Sequence, residues 1–284
     1  MDEISHRTLK VNGIQMHIAE QGKGPLVLLL HGFPAMWYQW RHQIPVIAKA
    51  GYHVVVPDQR GYGQTEAPED PTKYTFLHLV GDVVALIEAL GEKQVYIIGF
   101  APRDPNVSYL SRMKARFGER VYMQEWQEPG KAEADFNRDI KDAFIKIYSH
   151  RVTDMWTAAE GKSVLETIPT YEKPAWITDE ELQVYVDNYT RTGFTGGLNW
   201  YRNSDRSWEL MAPWTNVGTL VPGLVIVGDE DLTYSFTKAY HEGPLFKTYI
   251  PNGEFRIVPG CGHFINEEAP EVVNSLILDY LKKH

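Results

Sequence analysis

The chain has 284 residues, with 28 Lys+Arg against 37 Asp+Glu and a formal charge of −9. Hydrophobic residues make up 43% and charged ones 23%, which excludes a disordered chain and allows one large domain or two modest ones. The acidic balance argues against nucleic acid or an anionic membrane as main partner, and the single cysteine, Cys261, excludes an intramolecular disulfide and a cysteine-rich zinc site.

Residues 8–11 and 14–19 read as extended runs joined by a hairpin turn at Asn12-Gly13. Residues 26–30 form a continuous apolar run ending at His31-Gly32, the pattern of a strand buried on both faces of a parallel sheet. Residues 37–50 read as helical, closed by Gly51, and 53–56 as a strand cut off at Pro57-Asp58. Leu79, Val83, Leu86, Ile87 and Leu90 share one helix face, and 95–98 is a further buried strand ending at Gly99. Strands alternating with helices predict an α/β domain with a mainly parallel sheet flanked by helices.

Residues 101–216 show no buried strand but hold six of the eight tryptophans: Trp126, Trp156, Trp176, Trp200, Trp208 and Trp214. Helices are expected over 132–148 and 179–191, the second opened by a capping box at Thr178-Asp179-Glu180-Glu181. Such a block reads as a helical cap (101–216) on an α/β core (1–100 and 217–284), with most tryptophans as packing residues. The α/β pattern resumes with strands at 224–227 and 255–258 and a closing helix carrying Val272, Val273, Leu276, Ile277, Tyr280 and Leu281. The polar N-terminus and the lack of any run of about 20 apolar residues lead to the expectation of a cytoplasmic protein.

Asp231 and His263 each follow a late strand, about thirty residues apart, as do the acid and base of a nucleophile–Asp–His triad in α/β-hydrolase order. The Asp would orient the imidazole, and the His would take a proton from water. Alternatively, His263 is structural and Asp231 merely caps the segment after it. No His-Glu-x-x-His motif or Cys/His cluster supports a metal, and no cofactor is expected.

His31-Gly32-Phe33-Pro34, Trp37-Tyr38-Gln39-Trp40, Pro57-Asp58-Gln59-Arg60-Gly61-Tyr62-Gly63 and Gly262-His263-Phe264 together resemble soluble epoxide hydrolases of the α/β-hydrolase fold. Gly193-Phe194-Thr195-Gly196-Gly197-Leu198-Asn199-Trp200-Tyr201-Arg202 and Trp208-Glu209-Leu210-Met211-Ala212-Pro213-Trp214 resemble the cap of the plant branch. In that family an elbow Asp attacks the epoxide, two cap tyrosines hold its oxygen, and an Asp–His pair activates the water that releases the diol. The resemblance assigns the tyrosine roles to Tyr122 and Tyr201 and the water-activating roles to Asp231 and His263. It gives an oxyanion donor at the Phe33 backbone N–H, and a pocket involving His31, Pro34, Trp37 and Trp200.

The sequence departs from this pattern where the elbow belongs, reading Gly99-Phe100-Ala101-Pro102-Arg103-Asp104-Pro105-Asn106. No Gly-x-Ser-x-Gly, Gly-x-Cys-x-Gly or Gly-x-Asp-x-Gly occurs in the chain. An internal deletion after Gly99 would remove the nucleophile, one helix and one strand, roughly 25–30 residues from average element lengths. Asp104 is a substitute nucleophile only if its proline-flanked stretch turns sharply into a helix, which Pro102 and Pro105 oppose. Ala35 also stands where plant members often carry a Glu. Two functions follow as expectations. One is slow hydrolysis, or another proton transfer, on a small apolar epoxide. The other is a non-catalytic ligand-binding or inactive variant of the scaffold. The oligomeric state is left open.

Overall fold

The computed structural model describes residues 3–97, 106–150 and 155–284. The expected strand end at Gly99 and the candidate Asp104 lie outside the described residues.

β1 (Ser5–Val11) and β2 (Ile14–Gln21) form the hairpin, with Asn12 (φ 43°) and Gly13 (φ 82°) in the left-handed conformation its two-residue turn requires. With β3 (Leu26–Leu28), β4 (His53–Pro57) and β5 (Tyr96–Ile97) they make a sheet of order β1-β2-β4-β3-β5. β1–β2 and β2–β4 run antiparallel, β3–β4 and β3–β5 parallel. The sheet is thus mixed rather than mainly parallel, because the second strand of the hairpin docks on β4 in the opposite direction.

The continuous apolar strands are covered on both faces, as alternate side chains point opposite ways. Val27, Leu29, Val54 and Val56 pack into a cluster with Ile44 and Ile47 of α1 (Ile44–Lys49), while Leu26, Leu28 and Val55 pack with Leu86 of α2 (Phe76–Ala89).

Between β5 and the next strand the described elements are helical: α3 (Tyr109–Phe117), α4 (Tyr122–Glu125), α5 (Lys131–Arg138), α6 (Ile140–Ser149), α7 (Val164–Thr167), α8 (Asp179–Thr192), α9 (Thr195–Arg202) and α10 (Ser204–Leu210). The helix expected over 132–148 is broken at Asp139, an extended residue whose carboxylate accepts the Asp142 N–H at 2.9 Å and so starts α6. The capping box of α8 forms as expected, with Thr178 and Glu181 exchanging bonds of 3.1 and 2.9 Å. Trp126, Phe136, Phe144, Tyr148, Tyr185 and Phe194 form the core of this block, and Met36, Tyr62 and Phe264 reach into it from the α/β part. The two parts also meet backbone to backbone: a Cβ on Gly196 would lie 2.0 Å from the Gly61 carbonyl oxygen, so glycine is required there.

β6 (Gly223–Gly228) leads to α11 (Leu232–His241) and α12 (Pro244–Tyr249), and β7 (Gly253–Val258) to α13 (Ile265–Glu268) and α14 (Pro270–Leu281). β6 and β7 pair in parallel as a separate sheet; among the described residues β5 pairs only with β3 and β6 only with β7. Side chains bridge the two sheets: Tyr96 of β5, Ile226 of β6 and Val273 and Ile277 of α14 join the cluster around Val54 and Val56. Polar ties reinforce this, with Gln43 Nε2 donating to Asn266 O at 3.0 Å and Asn266 Nδ2 to Gln39 O at 2.8 Å. Among the described residues no helix is long and apolar enough to cross a membrane.

Candidate active site

Asp231 follows β6 as the N-cap of α11, and His263 lies in the loop after β7. Asp231 caps the following helix and also contacts His263. Its Oδ1 accepts the Thr233 N–H at 2.7 Å, and its Oδ2 meets His263 Nδ1 at 3.0 Å. The capping bond fixes the carboxylate, and the second oxygen then selects the Nδ1–H form of the imidazole, leaving Nε2 as the free base. Burial opposes charge on both groups, but their mutual contact prevails. The Asp231 carboxyl sits below its ordinary value, helped by the Thr233 N–H, and the His263 imidazole above it, helped by the charge of Glu268. The His263 side chain is 58% exposed against 10% for Asp231.

The tyrosines lie together in the helical block. Tyr122 opens α4 and Tyr201 sits on α9, with ring centroids 6.3 Å apart and Trp126 between them at 4.6 and 4.9 Å. Phe33, which precedes a cis bond to Pro34, packs edge-on against Tyr201 at 5.5 Å and Trp126 at 5.3 Å. Burial, and then each phenol's aromatic hydroxyl neighbours, pushes Tyr122 and Tyr201 well above the ordinary phenol range, so both stay protonated as hydrogen-bond donors. Phe264, next to His263, packs on Tyr148 at 4.6 Å in the same aromatic core that Tyr122 and Tyr201 flank.

The other expected residues separate into two groups. Trp200 packs against the aromatic core, its Nε1 donating to Arg60 O at 3.0 Å and its ring meeting Tyr62 at 5.2 Å. Pro34 is buried, and the Phe33 N–H has no backbone partner among the described residues. His31 is instead a loop tie, buried, with Nδ1 on Gly32 O at 3.0 Å and Nε2 accepting from the Gln59 N–H at 3.0 Å. Burial lowers its pKa despite the nearby Asp58 charge, so it is neutral and fully engaged. Trp37 turns toward the sheet cluster and His6, and its N–H binds Asp58 Oδ1 at 2.9 Å. It therefore packs with the sheet rather than with the tyrosines.

A family model described as alpha/beta hydrolase fold matches residues 25–100. Among curated relatives, epoxide hydrolases 3 and 1 of Siraitia grosvenorii are 38% and 39% identical over 322 and 314 aligned positions, each covering both chains completely. The chain belongs to the epoxide hydrolase family of the alpha/beta hydrolase fold. Epoxide hydrolase A of Mycobacterium tuberculosis is 34% identical over 98% of this chain and 97% of its own. Among solved structures, an epoxide hydrolase from Vigna radiata superposes with a TM-score of 0.95 at 40% identity, covering 100% of this chain and 99% of that one. A mutant of potato epoxide hydrolase does so with a TM-score of 0.93 at 36% identity, covering 99% and 100%.

Two features of this epoxide hydrolase family chain escape sequence reasoning. Arg41 donates to Glu181 of α8 at 2.8 Å and to Glu267 of α13 at 2.7 Å, and Tyr185 of α8 donates to Glu267 at 3.0 Å. Burial pushes the Glu267 carboxyl up to about 7 against the pull of Arg41. Glu268, the next residue, accepts backbone N–H groups on both sides of His263. The partners of Arg41 lie 140 and 226 residues away, so no local pattern marks them. For Glu268 the signal was present, five residues after His263, but nothing distinguishes it from neighbouring Glu267 before the loop is folded.

Proposed function

We propose that the chain acts on a small apolar epoxide, adding water to give a vicinal diol, without a carboxylate nucleophile. The observation that carries this is the Asp231–His263 contact of 3.0 Å, built at the ends of two adjacent parallel strands. His263 Nε2 takes a proton from water as the water oxygen bonds to an epoxide carbon. The carbon–oxygen bond breaks, and Tyr201 or Tyr122 protonates the departing alkoxide, regaining its proton through solvent from His263. One water is added in all. Residues 101–216 serve as the cap that carries the tyrosines, residues 1–100 and 217–284 as the core. The protein works in the aqueous cytoplasm, with no nucleic acid or membrane as partner.

Three observations support the loss of the elbow, its helix and one strand. The family match ends at residue 100. Alignments with relatives run over 314 and 322 positions, against 284 residues in this chain. No described strand lies between β5 and β6. Without the covalent step the rate falls by orders of magnitude. The exposure of His263 favours a second reading, a ligand-binding protein on a hydrolase scaffold. An assay of an aryl epoxide with the purified protein, His263→Ala and Tyr201→Phe separates the two. Slow diol formation that disappears with His263→Ala and weakens with Tyr201→Phe is expected. Diol formation that survives His263→Ala overturns water activation, and tight epoxide binding without turnover selects the binding protein.

A further inference from the structure

His263 sits in a loop with little regular structure, Pro259 to Phe264, yet the orientation of its ring depends on that backbone. The loop is held from two sides. From the β6 side, Asp229 Oδ1 accepts the Gly260 N–H at 2.7 Å and the Glu230 N–H donates to Cys261 O at 2.9 Å. From the α13 side, a single side chain does the work. Glu268 Oε2 accepts the Gly262 N–H at 2.9 Å, and Oε1 accepts the Phe264 N–H at 3.1 Å. One carboxylate therefore spans His263, gripping the peptide groups before and after it. The Glu268 backbone is anchored to the same loop, its own N–H donating to Phe264 O at 2.9 Å.

We propose that Glu268 is a positioning residue for His263: its two oxygens clamp the flanking N–H groups so that the imidazole meets Asp231. Charge-assisted bonds to a carboxylate are roughly twice as strong as neutral ones, so the clamp resists rotation of the His263 backbone. The same carboxylate adds a second negative charge near the ring. The charged groups acting on His263 are Asp231, from the turn after β6, and Glu268, from α13. Both favour the imidazolium that forms when water gives up its proton.

The inference deepens the proposed reaction and rests on His263 being its base, so its test reads the imidazole directly. Long-range 1H–15N spectra of the full chain, with His263 assigned by its loss in His263→Ala, give the ring's titration midpoint without any turnover. Glu268→Gln keeps the size but loses the charge and one acceptor oxygen. The expected result is a lower His263 midpoint and loss of the sharp Nδ1–H signal facing Asp231. Glu268→Asp retains the charge on a shorter arm, so its midpoint stays above that of Glu268→Gln; this comparison also serves if the Gln variant folds poorly. Where epoxide turnover is measurable, Glu268→Gln lowers kcat by about ten- to a hundredfold with little change in KM, the cost of about 1 Å of misplacement. Unchanged midpoints and Nδ1–H signals in both variants overturn the inference. A wild-type protein that turns over no epoxide, with the midpoint shift present, overturns the proposed reaction alone.

Discussion

Arg41→Met tests the link between the helical block and the core. The change removes the guanidinium and keeps most of the apolar stem. Glu267 is left with a fully buried side chain and, among the described residues, only the Tyr185 hydroxyl as partner, while Glu181, 19% exposed, turns to water. With Arg41 in place the Glu267 carboxyl titrates near 7 in the fold, above its ordinary 4.5. A raised carboxyl contributes stability that is fully present below 4.5 and lost as the pH rises through 7. Without the guanidinium it titrates higher still, so the variant continues to lose stability above pH 7, by about 1.4 kcal/mol per pH unit. At pH 6 the carboxyl is largely protonated in both proteins, and the cost is that of lost hydrogen bonds, about 1–2 kcal/mol. At pH 8 it approaches the cost of an orphaned buried charge, about 3 kcal/mol. Urea unfolding followed by tryptophan fluorescence at the two pH values measures the difference. An equal loss at both would refute the view that Glu267 dominates this site.

Gly196→Ala drives a methyl into the Gly61 carbonyl, so α9 and Tyr201 must shift; a loss of about 2–3 kcal/mol in thermal or urea unfolding is expected, as for a forced overpacking. The Asp231–His263 pair stabilises the fold most where the acid is charged and the base protonated. Its contribution fades as pH falls through the lowered carboxyl pKa and as pH rises through the raised imidazole pKa, so a double-mutant cycle with Asp231→Asn and His263→Gln should show stronger coupling at pH 5.5 than at pH 9. Any diol formation should rise with pH through a midpoint above 6.5, because only neutral His263 can accept a proton, and Asp231→Asn should move that midpoint down. Asp58→Leu strands the Trp37 and Gln64 N–H groups and His17, all bound to that buried carboxylate, and should cost about 3–5 kcal/mol.

Much of this was legible because it is local. The apolar runs of β3 and β4, the Asn12-Gly13 turn and the Thr178–Glu181 capping box each follow from a few adjacent residues. Asp231 and His263 could be paired because each follows a late strand, about thirty residues apart in α/β-hydrolase order, and the structure then places those strands side by side. What stayed hidden depends on tertiary contact or on a single polar residue in an apolar pattern. Asp139 looks like one more helix residue until its side chain stops α5 and starts α6. Trp37 belongs to the same run as Pro34, yet the turn between them sends its ring toward the sheet. α3 has the charged composition of a surface segment, and its cap at Ser108 is one hydroxyl.

Among the described residues β5 and β6 are not paired, which bears on how the two lobes move. Asp231 and His263 ride on the small lobe of β6 and β7, whereas Phe33, Tyr122 and Tyr201 ride on the rest of the chain. No described backbone ladder crosses that seam, so the spacing between His263 and the tyrosines rests on packed side chains such as Tyr96, Ile226 and Ile277. Hydrogen exchange should therefore show the small lobe opening as its own cooperative unit, ahead of the larger sheet. A substrate that bridges the seam would slow that exchange, and so act as the missing rung between the two lobes.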